Sequence, residues 1–242
     1  ALALRYFKAG WRLALVARRT AEVQAWADGQ TINPACYFIY SADVSDINSI
    51  VAAATACIAR QGLPDAVIAS AGISIGMDSR IREDLEVMAQ TFATNNVGLA
   101  ATFHPFINPM AERGSGALVG IASVAGIRGL PGHGAYCASK AGVIAYCESL
   151  RGELKPAGLR VVTICPGYIN TPLTQQNRYA MPFLMSAEAF ADQAFAEIQA
   201  GSSYQVIPWQ MGLVAKLLRL LPNALFDIAL SGRARKQRKN AN

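Results

Sequence analysis

The sequence predicts an α/β fold: a doubly wound parallel sheet covered on both faces by helices, in three layers. Three observations lead there. The strand-like runs are continuously apolar rather than alternating, as in WRLALVA at 11–17, ACYFIY at 35–40, DAVIAS at 65–70 and LRVVTIC at 159–165. Unbroken apolar character means burial on both faces, the habit of parallel sheets. These runs alternate with segments of helical period, and the breaks between them are short and marked by glycine or proline. Periodicity alone fits other parallel α/β sheets, a flavodoxin-like one included.

The elements follow in order. Residues 1–9 read as a helix interior stopped by Gly10, and 11–17 as a buried strand. Thr20 is expected to cap a helix of about two turns ending near Gly29. After the strand at 35–40, Ser45 is expected to cap a helix over 46–61 that carries Ile47, Ile50, Val51, Ala54 and Ile58 on one stripe and closes at Gly62 and Pro64. A strand at 65–70 precedes a long helical region, roughly 83–110, broken by Gly114 and Gly116. A strand at 116–122, a helix at 135–154 stopped by Pro156 and Gly158, and the strand at 159–165 complete the alternation. Further on, 211–221 is an amphipathic helix candidate with Lys216 and Arg219 among leucines, and 225–230 is apolar again.

Composition excludes several classes. The chain has 242 residues, 52% apolar and 16% charged, which is too apolar for a disordered chain and enough for one sizeable core. No heptad or short repeat persists, and no apolar run reaches the ~18 residues needed to span a bilayer. Residues 1–8 meet charge too early for a secretory signal. Five cations, Arg233, Arg235, Lys236, Arg238 and Lys239, cluster near the end; without them the net charge falls from +6 to +1. The basic balance therefore belongs to a tail and argues against a nucleic-acid-binding face. The five cysteines are odd in number and lack a C-x-x-C pair. They read as reduced thiols of a cytoplasmic protein, with no disulfide framework and no metal site.

The chemistry concentrates at Tyr136-Cys137-Ala138-Ser139-Lys140. Residues four apart share a helix face, and an ammonium beside a phenol is expected to pull the phenol pKa below its usual ~10. Such a tyrosine can exchange a proton with an alcohol or carbonyl. Alone, Y-x-x-x-K also occurs by chance on solvated helices. Ser123 lies at the carboxyl end of a predicted strand, where ligands of such sheets bind, although a strand-end serine can equally satisfy its own loop. Asn95 falls inside an otherwise helical stretch, which suggests a functional or kinking role, with Asn96 as a structural neighbour.

With these residues assembled, the chain resembles the short-chain dehydrogenase/reductase family over nearly its whole length, to about residue 207. The motifs in order are Asp43-Val44, Ser70-Ala71-Gly72, Asn95-x-x-Gly98, Ser123, Tyr136-x-x-x-Lys140 and Pro166-Gly167-Tyr168-Ile169-Asn170-Thr171. The resemblance implies a Rossmann-like sheet and a catalytic set of Asn95, Ser123, Tyr136 and Lys140. Tyr136 would be the acid/base, and Ser123 would steady the substrate oxygen. Lys140 would hold the nicotinamide ribose, and Asn95 would fix a water feeding protons to Lys140. It also implies that Asp43 and Val44 meet the adenine, that Ser70, Ala71 and Gly72 form the family's N-A-G turn with serine for asparagine, and that Pro166, Gly167, Ile169 and Thr171 hold the nicotinamide amide and phosphates.

Arg18 and Arg19 follow the strand at 11–17, where guanidinium groups suit a 2′-phosphate and an acid would suit a free hydroxyl. This favours NADP(H) over NAD(H) as cofactor, against the plain reading of a solvated Arg-Arg turn. The family also opens with a strand and a glycine-rich turn that this chain lacks. That strand would lie between 11–17 and 65–70, so the expectation is an N-terminally incomplete chain that binds dinucleotide poorly, with 11–17 and 65–70 not paired to each other.

On the substrate side, Tyr179, Met181, Phe183, Leu184 and Met185 make 168–190 apolar, either a lid, as the family resemblance implies, suited to a lipid-like, steroid-like or aromatic small-molecule alcohol or ketone, or simply core. Domain organisation is read as 1–207 for the dehydrogenase-like unit and 208–242 for a helix and basic tail. That tail fits an oligomer-interface helix, a solubilising tail, or peripheral contact with an anionic membrane through 211–242. The family implies a homodimer or homotetramer paired through helices 85–110 and 135–154. The alternative function is a non-catalytic scaffold that keeps the fold without the cofactor.

Overall fold

The computed structural model describes residues 1–175, 177, 180–232, 236 and 238, with Leu173 as backbone only. All of its strand pairings are parallel. Strand β1 (Leu13–Ala17) pairs with β2 (Tyr37–Ser41), Leu13 opposite Tyr37. Strands β3 (Ala66–Ala69), β4 (Gly116–Ile121), β5 (Leu159–Pro166) and β6 (Tyr204–Ile207) form a second sheet in that order.

Side chains explain why the strands read as unbroken apolar runs. Leu118 and Val161 face one helical layer while their neighbours Val119 and Val162 face the other, and each is at most 3% exposed. The first layer holds α3 (Ile47–Gln61), α5 (Gly98–Arg113) and α6 (Gly134–Leu154), with Ala54, Phe103, Met110, Val143 and Cys147 inward. The second holds α1 (Leu2–Lys8), α2 (Thr20–Gly29) and α8 (Ala187–Ala200), packed through Tyr6, Ala27, Ala194 and Ile198.

β1 and β3 are not hydrogen-bonded to each other. Between them runs an open groove of about 880 Å³, lined by Leu13 to Val16 on one side, Ala66, Ile68 and Ser70 on the other, and Trp26 and Gln61. The gap falls where the sequence reading expects it. Unpaired strand edges inside a fold are costly, and the Gln61 side chain meets part of that cost by donating Nε2 to the Leu13 carbonyl at 3.2 Å.

Two expected caps are corrected. Thr20 is the first residue of α2, and Arg19 precedes it without a side-chain cap bond. Asp46, not Ser45, caps α3, its carboxylate accepting from the Asn48 and Ser49 amides; the Ser45 hydroxyl is drawn to Asp43 instead. The long helical region is real but interrupted. α4 (Asp84–Phe92) passes through a single π turn at Ala93–Val97 into α5, which stops at Gly114 in a left-handed conformation.

β6 has no counterpart in the sequence reading. Beyond it, α9 (Trp209–Leu220) packs through Met211, Gly212 and Ala215, while α10 (Asn223–Leu230) buries only Phe226. A short helix, α7 (Pro172–Gln175), follows β5. Tyr179 and the tail residues Arg233, Arg235 and Lys239 lie outside the described residues. Among the described residues no helix is long and apolar enough to cross a membrane, and no cluster of His, Cys, Asp and Glu could hold a metal ion.

Candidate active site

Because the pairings are parallel, the loops after β3, β4 and β5 emerge along one edge of the four-stranded sheet and those after β1 and β2 along one edge of the two-stranded sheet; carboxyl edges are where ligands of such folds bind. The sequence-selected residues sit on those loops and on the helices that follow them.

After β4 the chain turns at Ser123, which is 7% exposed and whose hydroxyl accepts the Ala125 amide at 3.2 Å. The turn Val124–Gly126 lies directly on α6: a Cβ built on Gly126 would stand 2.7 Å from the Lys140 carbonyl carbon. This close approach brings the Ser123 side chain into hydrogen bonding with the Tyr136 phenol. Tyr136 and Lys140 stand one turn apart on α6, with the lysine only 4% exposed.

Asn95 occupies the π turn, a rare device that recurs at functional sites. Its Oδ1 accepts the Ile73 amide at 2.8 Å, and its Nδ2 donates to the Ile73 carbonyl at 3.0 Å and to the Ser139 hydroxyl at 2.9 Å. Ser139 in turn donates to the Tyr136 carbonyl at 2.8 Å. Asn95 thereby ties the loop after β3 to the first turn of α6. Asn96 donates to the Ser139 carbonyl at 2.8 Å, a packing role as expected.

The Lys140 ammonium donates to the Ile121 carbonyl at 2.7 Å. Burial pulls its pKa down to about 8, opposed in part by the Cys165 and Cys147 thiols. Lys140 Nζ lies 5.9 Å from the Tyr136 ring centroid. The expected depression of the phenol pKa is not found. Burial pushes Tyr136 up, and the Ser123 hydrogen bond opposes it only in part. The reason is geometric: the ammonium is engaged with main chain at the end of β4 rather than with the phenol.

Gly72 presses against the same pair. A Cβ there would lie 3.3 Å from Asn95 Oδ1 and 3.4 Å from Lys140 Nζ. Ser70 and Ala71 precede it as exposed loop residues, and Ser70 also lines the groove beside β3. At the far end, Arg18 reaches Asp43 at 3.4 Å, both partly exposed. The Asp43 carboxyl is held below its usual range, first by the Ser45 hydroxyl and amide and further by Arg18. Arg19 turns away to Glu22 at 3.1 Å. Val44 underlies α5, its carbonyl 2.5 Å from where a Gly98 Cβ would sit. After β5, the Pro166-Gly167 turn is fixed by the Gly167 amide on the Ile207 carbonyl at 2.7 Å. Ile169, 8% exposed, bridges to Met185, and the Thr171 amide donates to Thr174 Oγ1 at 3.0 Å.

Ser139 and the Ile121 carbonyl escaped the sequence reading. Ser139 offered a signal, a small hydroxyl one residue before the lysine and three after the tyrosine; a main-chain carbonyl offers none.

The family model described as short chain dehydrogenase matches residues 1–182. An uncharacterized oxidoreductase of Myxococcus xanthus is 36% identical over 233 residues, 94% of this chain and 90% of that protein. A short-chain dehydrogenase from Sphingobium yanoikuyae, solved in complex with NADPH, is similar with a TM-score of 0.75 at 22% identity, covering 92% of this chain and 91% of its own. A 3-ketoacyl-(acyl-carrier-protein) reductase from Brucella melitensis, solved with NADH, gives 0.75 at 24% identity, covering 85% and 90%. At such identities the two solved structures speak for the fold.

Proposed function

The chain belongs to the short-chain dehydrogenase family, and within it we propose an oxidoreductase that moves a hydride between NADP(H) and an alcohol or carbonyl substrate, with Tyr136 as acid/base. One observation carries the reading: Ser123, Tyr136, Lys140 and Asn95 converge from three separate segments onto one hydrogen-bonded unit at the carboxyl edge of the sheet.

A dinucleotide suits the residues at both ends of this edge. Gly72 lies close beside Lys140 and Asn95, its built Cβ 3.4 Å from the lysine Nζ and 3.3 Å from the asparagine Oδ1, so main chain and ammonium would both border the nicotinamide end. Arg18 beside Asp43 supplies a guanidinium and a carboxylate at the adenine end. Ser70, Ala71, Val44, Pro166, Gly167, Ile169 and Thr171 would complete the contacts. When bound, the cofactor supplies or takes the hydride.

The remaining steps belong to the chain. Ser123 and Tyr136 hydroxyls would hold the substrate oxygen. Burial keeps the phenol protonated, so Tyr136 Oη gives its proton to a carbonyl oxygen during reduction and recovers one from the alcohol in reverse. Lys140, charged below about pH 8, favours negative charge developing nearby. Asn95, through Ser139, keeps the first turn of α6 in register. The NADP(H) preference rests on Arg18, because Arg19 is paired with Glu22. Met181, Phe183 and Leu184 on the segment before α8 support an apolar substrate, and the five free cysteines support a cytoplasmic setting.

A second reading, a scaffold with the fold but no cofactor, is favoured by the open groove between β1 and β3. One experiment separates them: NADPH binding by fluorescence and its oxidation with a panel of apolar ketones, for the wild type and Tyr136→Phe. Turnover that falls by roughly 10² to 10⁴ in the variant, with NADPH binding kept, supports the enzyme. Equal turnover in both proteins refutes the role of Tyr136, and no NADPH binding by the wild type supports the scaffold.

A further inference from the structure

We infer that the exposed side of the consecutive helices α9 and α10 is a docking face for an anionic lipid bilayer. On α9, Met211, Gly212 and Ala215 turn inward. Trp209, Leu213, Leu217 and Leu220 recur at intervals of four and three, so they form one outward stripe, 65, 52, 66 and 79% exposed. On α10 only Phe226 is buried, leaving Leu225 and Ile228 at 54 and 70%. Six large apolar side chains on two consecutive helices are thus more than half in water, an arrangement that marks an interaction surface rather than scatter.

The face is held outward. Arg128, from the loop after Ser123, donates to the carbonyls of Leu218 and Leu221 and to Asn223 Oδ1, and its guanidinium lies 3.7 Å over the Phe226 ring. The junction of α9 and α10 is therefore tied to the loop after Ser123. The start of α9 borders the Pro166-Gly167 turn, since a Cβ on Gly167 would stand 2.8 Å from Met211 Cγ.

Charge selects the occupant. After Pro208 the sequence carries seven Lys and Arg against the single acid Asp227, which amounts to the whole net charge of +6. Arg238 is engaged with Asp84, and the Arg219 guanidinium donates to the Ile127 carbonyl at 3.3 Å, but Lys216 and Arg219 are both exposed on α9 itself. An apolar stripe flanked by cations matches acyl chains beneath anionic headgroups. The same face on a second copy would offer like charges to these cations. The consequence for substrate access, an apolar ligand entering from lipid beside the Pro166-Gly167 turn, rests on the proposed oxidoreductase; lipid binding itself does not and is read without turnover.

The test uses the full chain and sedimentation with vesicles of phosphatidylglycerol mixed with phosphatidylcholine, or of phosphatidylcholine alone. Expected are binding to the anionic vesicles, weakening with salt, and a blue shift of tryptophan emission that Trp209→Phe abolishes. Leu213→Ser/Leu217→Ser/Leu220→Ser, and separately Lys216→Glu/Arg219→Glu, should each lower partitioning by about tenfold or more while melting like the wild type. The inference falls if the wild type ignores anionic vesicles, binds neutral ones equally, or keeps its binding in both variants. A wild-type dimer that the triple variant dissociates, without vesicle binding, would assign the face to self-association and overturn it.

Discussion

Replacing Lys140 by methionine should make the protein more stable and inactive. Lys140 is 4% exposed, and burial lowers its pKa from 10.5 to about 8. At ~1.4 kcal/mol per tenfold change, keeping that ammonium charged at pH 7 destabilises the fold by about 3 kcal/mol. Methionine has a similar length and removes the charge, at the loss of the bond to the Ile121 carbonyl, worth about 1 kcal/mol. The net gain is about 2 kcal/mol, or roughly 4–8 °C in Tm for a chain of this size. The pH dependence has a definite sign. Between about 8 and 10.5 the unfolded chain binds more protons at this lysine than the folded one, so wild-type stability rises with pH across that window. Below about 8 the penalty is constant, and in Lys140→Met this contribution vanishes. Thermal and urea unfolding without added dinucleotide, from pH 7 to 10.5, measures both effects. A variant less stable than the wild type at pH 7, or one whose stability follows the wild-type profile across the window, refutes the reasoning.

Two further predictions concern the Asp43-Val44 end of the edge. Arg18→Asp should lower kcat/KM for NADPH by roughly tenfold or more while sparing NADH, since it exchanges a guanidinium for a carboxylate beside Asp43; steady-state kinetics with both cofactors decides, and a wild type that prefers NADH defeats the argument. Gly98→Ala should destabilise the fold by about 1–3 kcal/mol in urea unfolding, because its Cβ would stand 2.5 Å from the Val44 carbonyl oxygen and the clash is with main chain; a change below a few tenths would show that α5 shifts freely.

The fold was legible because two-sided burial leaves a mark on each strand. Val119 and Leu118 face different cores, so no polar residue interrupts β4. β6 left a fainter mark: Tyr204 and Gln205 are partly exposed at the sheet's edge, and only Ile207 is fully enclosed. Caps failed for a local reason. Ser45 and Asp46 are adjacent good capping residues, and the choice between them was made by Asp43, which takes the serine hydroxyl at 2.7 Å. In the site, the identities of Asn95, Ser123, Tyr136 and Lys140 were readable as motifs, but their electrostatics was not. Spacing put an ammonium near a phenol, whereas the direction of the lysine is set by the Ile121 carbonyl, an atom common to every residue type.

That direction bears on how the site works. The shift at Lys140 is dominated by burial, and among the described residues it is opposed by the thiols of Cys165 and Cys147, both themselves pushed up to about 11 by burial and therefore uncharged at neutral pH. The ammonium is thus sheltered from water with one carbonyl and no counter-charge. Gly72 lies beside it, and the Tyr136 ring centroid is 5.9 Å away. An ammonium has three donors, and one is committed here. A ligand oxygen that accepts from either of the others recovers part of the desolvation cost, raising the lysine pKa as it binds and extending activity to higher pH than the free protein's titration would permit. The sheltered charge at Lys140 therefore favours a ligand that brings a hydrogen-bond acceptor to the carboxyl edge of the sheet, which an alcohol or ribose hydroxyl would offer and a hydrocarbon would not.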